Sequence, residues 1–196
     1  MAVQMDIQLA DDLAESTEEP PPSSQMITWA QAAWQGDQDA EPVISLRIVS
    51  PAESQQLNFE YRGKNKPTNV LSFPMQMDDA FSPLEESEEE FAIPIALLGD
   101  LVICAEVVEQ EAREQSKQRE AHWAHMLVHG MLHLQGYDHE EETEARQMEQ
   151  LEARLMQSLG FADPYQLESP HLDTSGTQSI KSKPGSNQSP TAESKP

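Results

Sequence analysis

The chain has 196 residues, of which 37% are hydrophobic and 24% charged; against a common domain size of ~100 to 150, that is one domain with appendages and enough apolar material for one core. A net charge of −23 argues against general affinity for nucleic acid, and the single cysteine, Cys104, rules out a disulfide framework or a cysteine-rich zinc knuckle. No apolar run approaches the roughly 18 to 20 residues that cross a bilayer, and MAVQMDIQLADD has neither the basic region nor the apolar run of a secretory signal, so a cytoplasmic location is expected.

Residues 1–41 carry nine acidic and no basic side chains, yet Val3 to Leu9 alternates apolar and polar, the pattern of a half-buried strand. Glu18 to Ser24 reads as a proline-rich linker. Met26, Ile27, Trp29, Ala30, Ala33 and Trp34 then form one face of a short helix ending near Gly36. Val43 to Val49 alternates again as a second strand. Ser50-Pro51-Ala52-Glu53 combines a capping box with proline at the first helical position, starting a helix that should run to about Tyr61. Residues 69–74 and 98–104 read as two further strands, with Cys104 a small buried apolar residue. Between them residues 77–91 hold seven acidic and no basic residues and read as a solvated loop. Helical spacing fills 105–115, 121–134 and 143–159, the last closing at Gly160. The fold class is α+β. The expected organisation is a single domain over 1–167 with an acidic insertion at 77–91, followed by a disordered Ser/Pro-rich tail over 168–196.

Five of the six histidines fall between 122 and 139. On a helix His129 and His133 lie one turn apart on one face, so both imidazoles can reach one metal ion at about 2.0 to 2.1 Å. Gly136 permits a sharp turn that brings His139 back to the same ion. Three neutral imidazoles suit zinc, and three protein ligands leave a fourth position open, the mark of a catalytic rather than a structural site. The spacing H-x3-H-x2-G-x2-H is that of the metzincin proteases, but position 130 is glycine where the protease carries its general-base glutamate. Peptide hydrolysis by that mechanism is therefore disfavoured. His122 and His125 share the helix face of His129 but lack a turn that would complete a second trio, and read as structural.

The block His129-Gly130-Met131-Leu132-His133-Leu134-Gln135-Gly136-Tyr137-Asp138-His139, preceded by Ala121-His122-Trp123-Ala124-His125, closely resembles the YbeY family of bacterial endoribonucleases. Leu57-Asn58, Tyr61-Arg62-Gly63-Lys64 and Pro67 to Pro74 are similar to a second signature of that family, and Leu98 to Ile103 to a third. The resemblance spans about residues 3–167. It implies a mixed β-sheet of about four strands packed with helices, a zincin-like histidine-bearing helix, and one zinc ion per chain held by His129, His133 and His139. It also implies endonucleolytic cleavage of single-stranded RNA in ribosomal RNA processing, notably 3′ end maturation of small-subunit RNA, and in ribosome quality control. Ribosomal RNA, the small ribosomal subunit and its assembly factors are then the expected partners, with no membrane and no DNA.

Zinc lowers the pKa of a bound water to about 7 and can polarise a phosphoryl oxygen; the nucleophile is either such a water or the RNA 2′-hydroxyl. The candidate catalytic residues are His129 and Arg62, whose guanidinium can bind phosphate through two donors and which stands where the family carries a functionally essential arginine. Arg62, Lys64 and Lys66 fall within five positions of a chain with only twelve basic residues, and form the candidate RNA-binding rim. Asp138 is either an acceptor behind a ligand imidazole or, by preference, the N-cap of a helix over 140–159, whose acidic first turn matches its dipole. Two other readings share these residues. A metal-dependent peptidase would need the glutamate missing at 130, and a non-catalytic, zinc-stabilised ribosome assembly module would bind without turnover.

Overall fold

The computed structural model describes residues 2–13, 18–75, 95–139 and 141–166. The acidic segment 77–91 and the tail 168–196 lie outside the described residues. The elements run β1 (Gln4–Leu9), α1 (Ser23–Ala33), β2 (Glu41–Val49), α2 (Pro51–Arg62), β3 (Val70–Pro74), β4 (Ile95–Cys104), α3 (Ala105–Glu114), α4 (Arg119–Leu134) and α5 (Glu142–Ser158).

The sheet is mixed, in the order β1-β2-β4-β3: β1, β2 and β4 are parallel, and β3 pairs antiparallel to β4 at the edge. Because side chains alternate along a strand, each strand feeds two layers. Leu101 and Ile103 of β4, with Ile44, Leu46 and Ile48 of β2 and Val70 of β3, belong to the large core that takes in α1, α4 and α5. Leu71, Val102 and Cys104 face the other way, in a smaller cluster against Leu57 of α2 and Val107 of α3. Hence α2 and α4 pack on opposite faces of the sheet. Cys104 is buried, and that burial pushes its thiol pKa up.

The start of α2 follows from its sequence. The Ser50 hydroxyl accepts the backbone N–H of Glu53 at 3.3 Å and donates to Asp12 at 2.6 Å, and Pro51 occupies the first turn. The start of α4 is fixed from a distance instead. Gln118 offers it no side-chain cap; the buried Glu109 of α3 accepts from Arg119 Nε at 2.6 Å and from Trp123 Nε1 at 2.8 Å. Gly130 brings the helix close to the sheet, since a Cβ there would lie 2.8 Å from Leu101 Cδ2 and 3.3 Å from Val70 Cγ2. No helix among the described residues is long and apolar enough to cross a membrane.

Candidate metal centre

His129 and His133 occupy the last two turns of α4 on one face, half-buried, with their Nε2 atoms 3.1 Å apart. The helix stops at Leu134. Gly136, at φ 85, adopts the left-handed conformation, its N–H bonding to His133 O at 3.0 Å while Tyr137 N–H bonds to Leu132 O at 3.1 Å. The chain turns back and delivers the exposed His139, whose ring centroid lies 5.0 Å from that of His133 and 5.7 Å from that of His129. One nitrogen from each of the three histidines falls within 4.8 Å of the others, the one group of three or more such donors among the described residues.

What stands behind His129 is not apparent from the spacing of the histidines. Glu152 of α5 is fully buried, and its two oxygens divide between two imidazoles: Oε1 lies 2.7 Å from His129 Nδ1 and Oε2 lies 3.2 Å from His125 Nε2. The Tyr165 hydroxyl, from the segment after α5, donates to the same Oε2. Burial by itself would raise the Glu152 pKa, but hydrogen bonds from His125 and His129, the charge of His129 and the Tyr165 hydroxyl together hold it at about 2. A carboxylate on Nδ1 fixes the proton there and leaves the Nε2 lone pair of His129 facing the other two histidines. Burial, then the neighbouring His129 and His139, lowers His133 to about 4, so it stands neutral at pH 7. Three imidazoles, one kept neutral by its surroundings and one oriented by a buried carboxylate, form a donor set that suits zinc. Glu152 has a faint sequence signature: with Met148 and Met156 it occupies the buried stripe of α5 at intervals of four, a charge where the pattern calls for an apolar residue.

The remaining histidines have other partners. His122 is buried with its Nε2 2.9 Å from Glu111 of α3, a carboxylate that also accepts from Asn69 at 3.1 Å. His125 pairs with Glu152, and burial lowers its pKa. Neither belongs to the metal-competent group. Asp138 corrects one expectation: α5 begins at Glu142 with Glu141 as its N-cap and without a side-chain cap. Asp138 stands too far upstream to reach the first turn, and its carboxylate accepts the backbone N–H of His139 at 2.7 Å instead.

A cavity of about 250 Å³ flanks the trio, lined by His129, His139, Ala145, Met148, Glu149, Glu152 and Tyr165. Its two carboxylates make that wall a poor seat for phosphate. The cations lie elsewhere. Arg62 ends α2, and Lys64 and Lys66 follow in an exposed loop. That loop is pinned from beneath: Asn58 Nδ2 donates to Lys66 O at 2.7 Å, and Ser54 Oγ donates to Thr68 O at 2.8 Å. None of the described contacts joins Arg62 to the histidine trio; α2 lies on the sheet face opposite α4, with the edge strand β3 between them. Ser72 of β3 donates to Gly130 O at 3.4 Å, beside His129.

The family model for the endoribonuclease YbeY matches residues 14–160 of the chain. Among solved structures, the solution structure of TM1509 from Thermotoga maritima aligns with 23% identity over 83% of this chain and 99% of that chain, with a TM-score of 0.48.

Proposed function

The chain belongs to the YbeY endoribonuclease family, and from that premise we propose that it is a zinc-dependent endonuclease for single-stranded RNA, with one zinc ion per chain on His129, His133 and His139. The observation that carries the metal assignment is the convergence of those three imidazoles, with the buried Glu152 behind one of them. Its place of action is the cytoplasm, in 3′ end maturation of small-subunit ribosomal RNA and in ribosome quality control. The small subunit and its assembly factors are its partners.

When bound, such an ion supplies Lewis acidity, making water a stronger acid and offsetting the negative charge that develops on phosphoryl oxygens. The protein's own groups do the rest. Glu152 keeps the His129 proton on Nδ1, so the ligand ring cannot rotate or present the wrong nitrogen. Arg62 takes a phosphate of the substrate through two parallel N–H donors; Lys64 and Lys66 hold neighbouring phosphates as point charges. Against a chain of −23, that local cationic rim favours a short, specific RNA over bulk nucleic acid.

The purified protein should cleave single-stranded RNA and leave casein intact, and a chelator should abolish the cleavage. His133→Ala should lose stoichiometric metal and turnover together. Retention of one zinc by that variant at neutral pH would overturn the ligand assignment, and proteolysis of casein would overturn the nuclease reading.

A further inference from the structure

Beside the cationic loop the fold leaves an aromatic ring uncovered. Tyr61, one turn on from Leu57 in the last turn of α2, meets Phe73 of β3 edge to face, with centroids 4.9 Å apart and ring planes at 68°. Phe73 in turn packs on the cluster of Leu71, Val102 and Cys104. The Tyr61 ring is thus braced through Phe73 to the sheet, yet the residue is 61% exposed. Arg62 follows it directly, and Lys64 and Lys66 lie within five residues. None of the three is ion-paired among the described residues, in a chain where acidic residues outnumber basic ones by 35 to 12. The bonds from Asn58 and Ser54 hold the loop's backbone in place, so these charges start from a preformed surface.

A braced, exposed aromatic ring flanked by cations that have no ion-pair partner among the described residues fits a single-stranded nucleic acid: the π-face takes a base and the cations take its phosphates. We propose that Tyr61, braced by Phe73, is a stacking platform for one unpaired nucleobase of the RNA, with the adjoining phosphates on Arg62, Lys64 and Lys66. This rests on the endoribonuclease reading above and adds a source of strand selectivity to it. A base inside a duplex has both faces occupied by its neighbours, whereas an unpaired base has a face to offer. The brace, Phe73, lies in β3, the edge strand whose other face meets the metal helix. Phe73 is adjacent in β3 to Ser72, whose hydroxyl bonds to Gly130 O at 3.4 Å next to His129. Because successive strand side chains point to opposite faces, Tyr61 stands on the side of the sheet away from the trio, and an RNA stacked there passes around the β3 edge to reach the histidines.

The test measures affinity of the full chain for a short unstructured RNA and for the same RNA carrying an abasic site, with folding checked by thermal midpoint. Tyr61→Ala should weaken binding of the intact RNA roughly fivefold to a hundredfold, the range that one stacked base supplies, and the loss should fall on KM. Tyr61→Phe should recover most of the affinity, because the ring and not the hydroxyl does the stacking. Moving the abasic site along the RNA should reveal one position at which the parent loses affinity and Tyr61→Ala does not. Phe59→Ala serves as the control: Phe59 is 59% exposed on the same helix, but two residues away and so on another helix face. It should bind as the parent does. Equal affinity of Tyr61→Ala and parent, or an equal loss in Phe59→Ala, would overturn the platform and leave the nuclease reading standing. A parent chain that neither binds nor cleaves single-stranded RNA would overturn both.

Discussion

We propose that Arg62 and Glu152 serve different parts of the candidate chemistry, Arg62 a phosphate of the substrate and Glu152 the imidazole of His129. Arg62→Lys keeps the charge but loses the two-donor fork, so it should impair cleavage far more than metal binding or folding. Removing a fixed donor to a transition-state oxyanion costs roughly 3 to 4 kcal/mol, about a hundredfold to a thousandfold, and lysine should recover only part of that. Single-turnover cleavage at saturating enzyme, with zinc measured on the same sample, checks this; a variant within about twofold of the parent would leave Arg62 a surface charge. Glu152→Gln should show the reverse pattern. Its amide has one acceptor oxygen in place of two, so it can accept either from His129 or from His125 and Tyr165 but not on both sides, and loss of such a supporting group typically costs about 10- to 100-fold in metal affinity, readable by competition with a chelator. The same residue has a signature in acid. Its folded pKa of about 2 lies below the ordinary 4.5, so the stability it contributes is complete above about 4.5 and lost as pH falls toward 2. The metal-free parent should therefore lose thermal stability across that window, and Glu152→Gln should lack that part of the loss.

At the scale of elements, α4 carries the site and its closeness to the sheet governs where the histidines sit. Gly130→Ala in an exposed helix would gain about 1 kcal/mol from propensity alone. Here the new Cβ meets the buried Leu101 and Val70 at 2.8 and 3.3 Å, and overpacking costs about 1 to 3 kcal/mol. The variant should come out between neutral and about 2 kcal/mol less stable in denaturant unfolding. A gain of the full propensity term would mean that α4 can draw away from the sheet freely. The glycine that removes the peptidase's general base thus also has a packing role, one that the histidine spacing does not reveal. Element boundaries were legible wherever the capping groups are local, as in the Ser50 box of α2 and the Gly136 turn after α4. They were not legible at the start of α4, which depends on Glu109 from another helix, nor at the start of α5, where the expected Asp138 cap gives way to Glu141.

For the whole molecule, composition and structure bear on different parts of the chain. We propose that residues 169–196, poor in apolar side chains and rich in serine and proline, contribute little buried surface. Their deletion should leave metal content and RNA cleavage nearly unchanged, and a tenfold loss of activity would assign the tail a role. The position of the cut matters, because the Tyr165 hydroxyl bonds to Glu152. A deletion beginning at 163 should weaken metal binding where one beginning at 169 does not, a contrast that chelator competition on the two truncations would measure.

By itself the sequence determined the α+β class, the order of the elements and the histidine trio, because each depends on local rules: period two for strands, a spacing of four on a helix, a glycine that lets the chain reverse. The family blocks around Arg62 and His129 were legible for the same reason, as contiguous strings. Only the tertiary structure decided what lies behind the trio. Glu152 stands 23 residues beyond His129, and its bond depends on how α5 packs on α4. Likewise, nothing local in the strings containing Arg62 and His129 puts them on opposite faces of one sheet. That follows from the tertiary packing, in which α4 joins the large core on one face and α2 meets the Leu71, Val102 and Cys104 cluster on the other. Local spacing specifies which donors can converge; burial and strand order, which are non-local, specify how they are held and from which side a substrate can reach them.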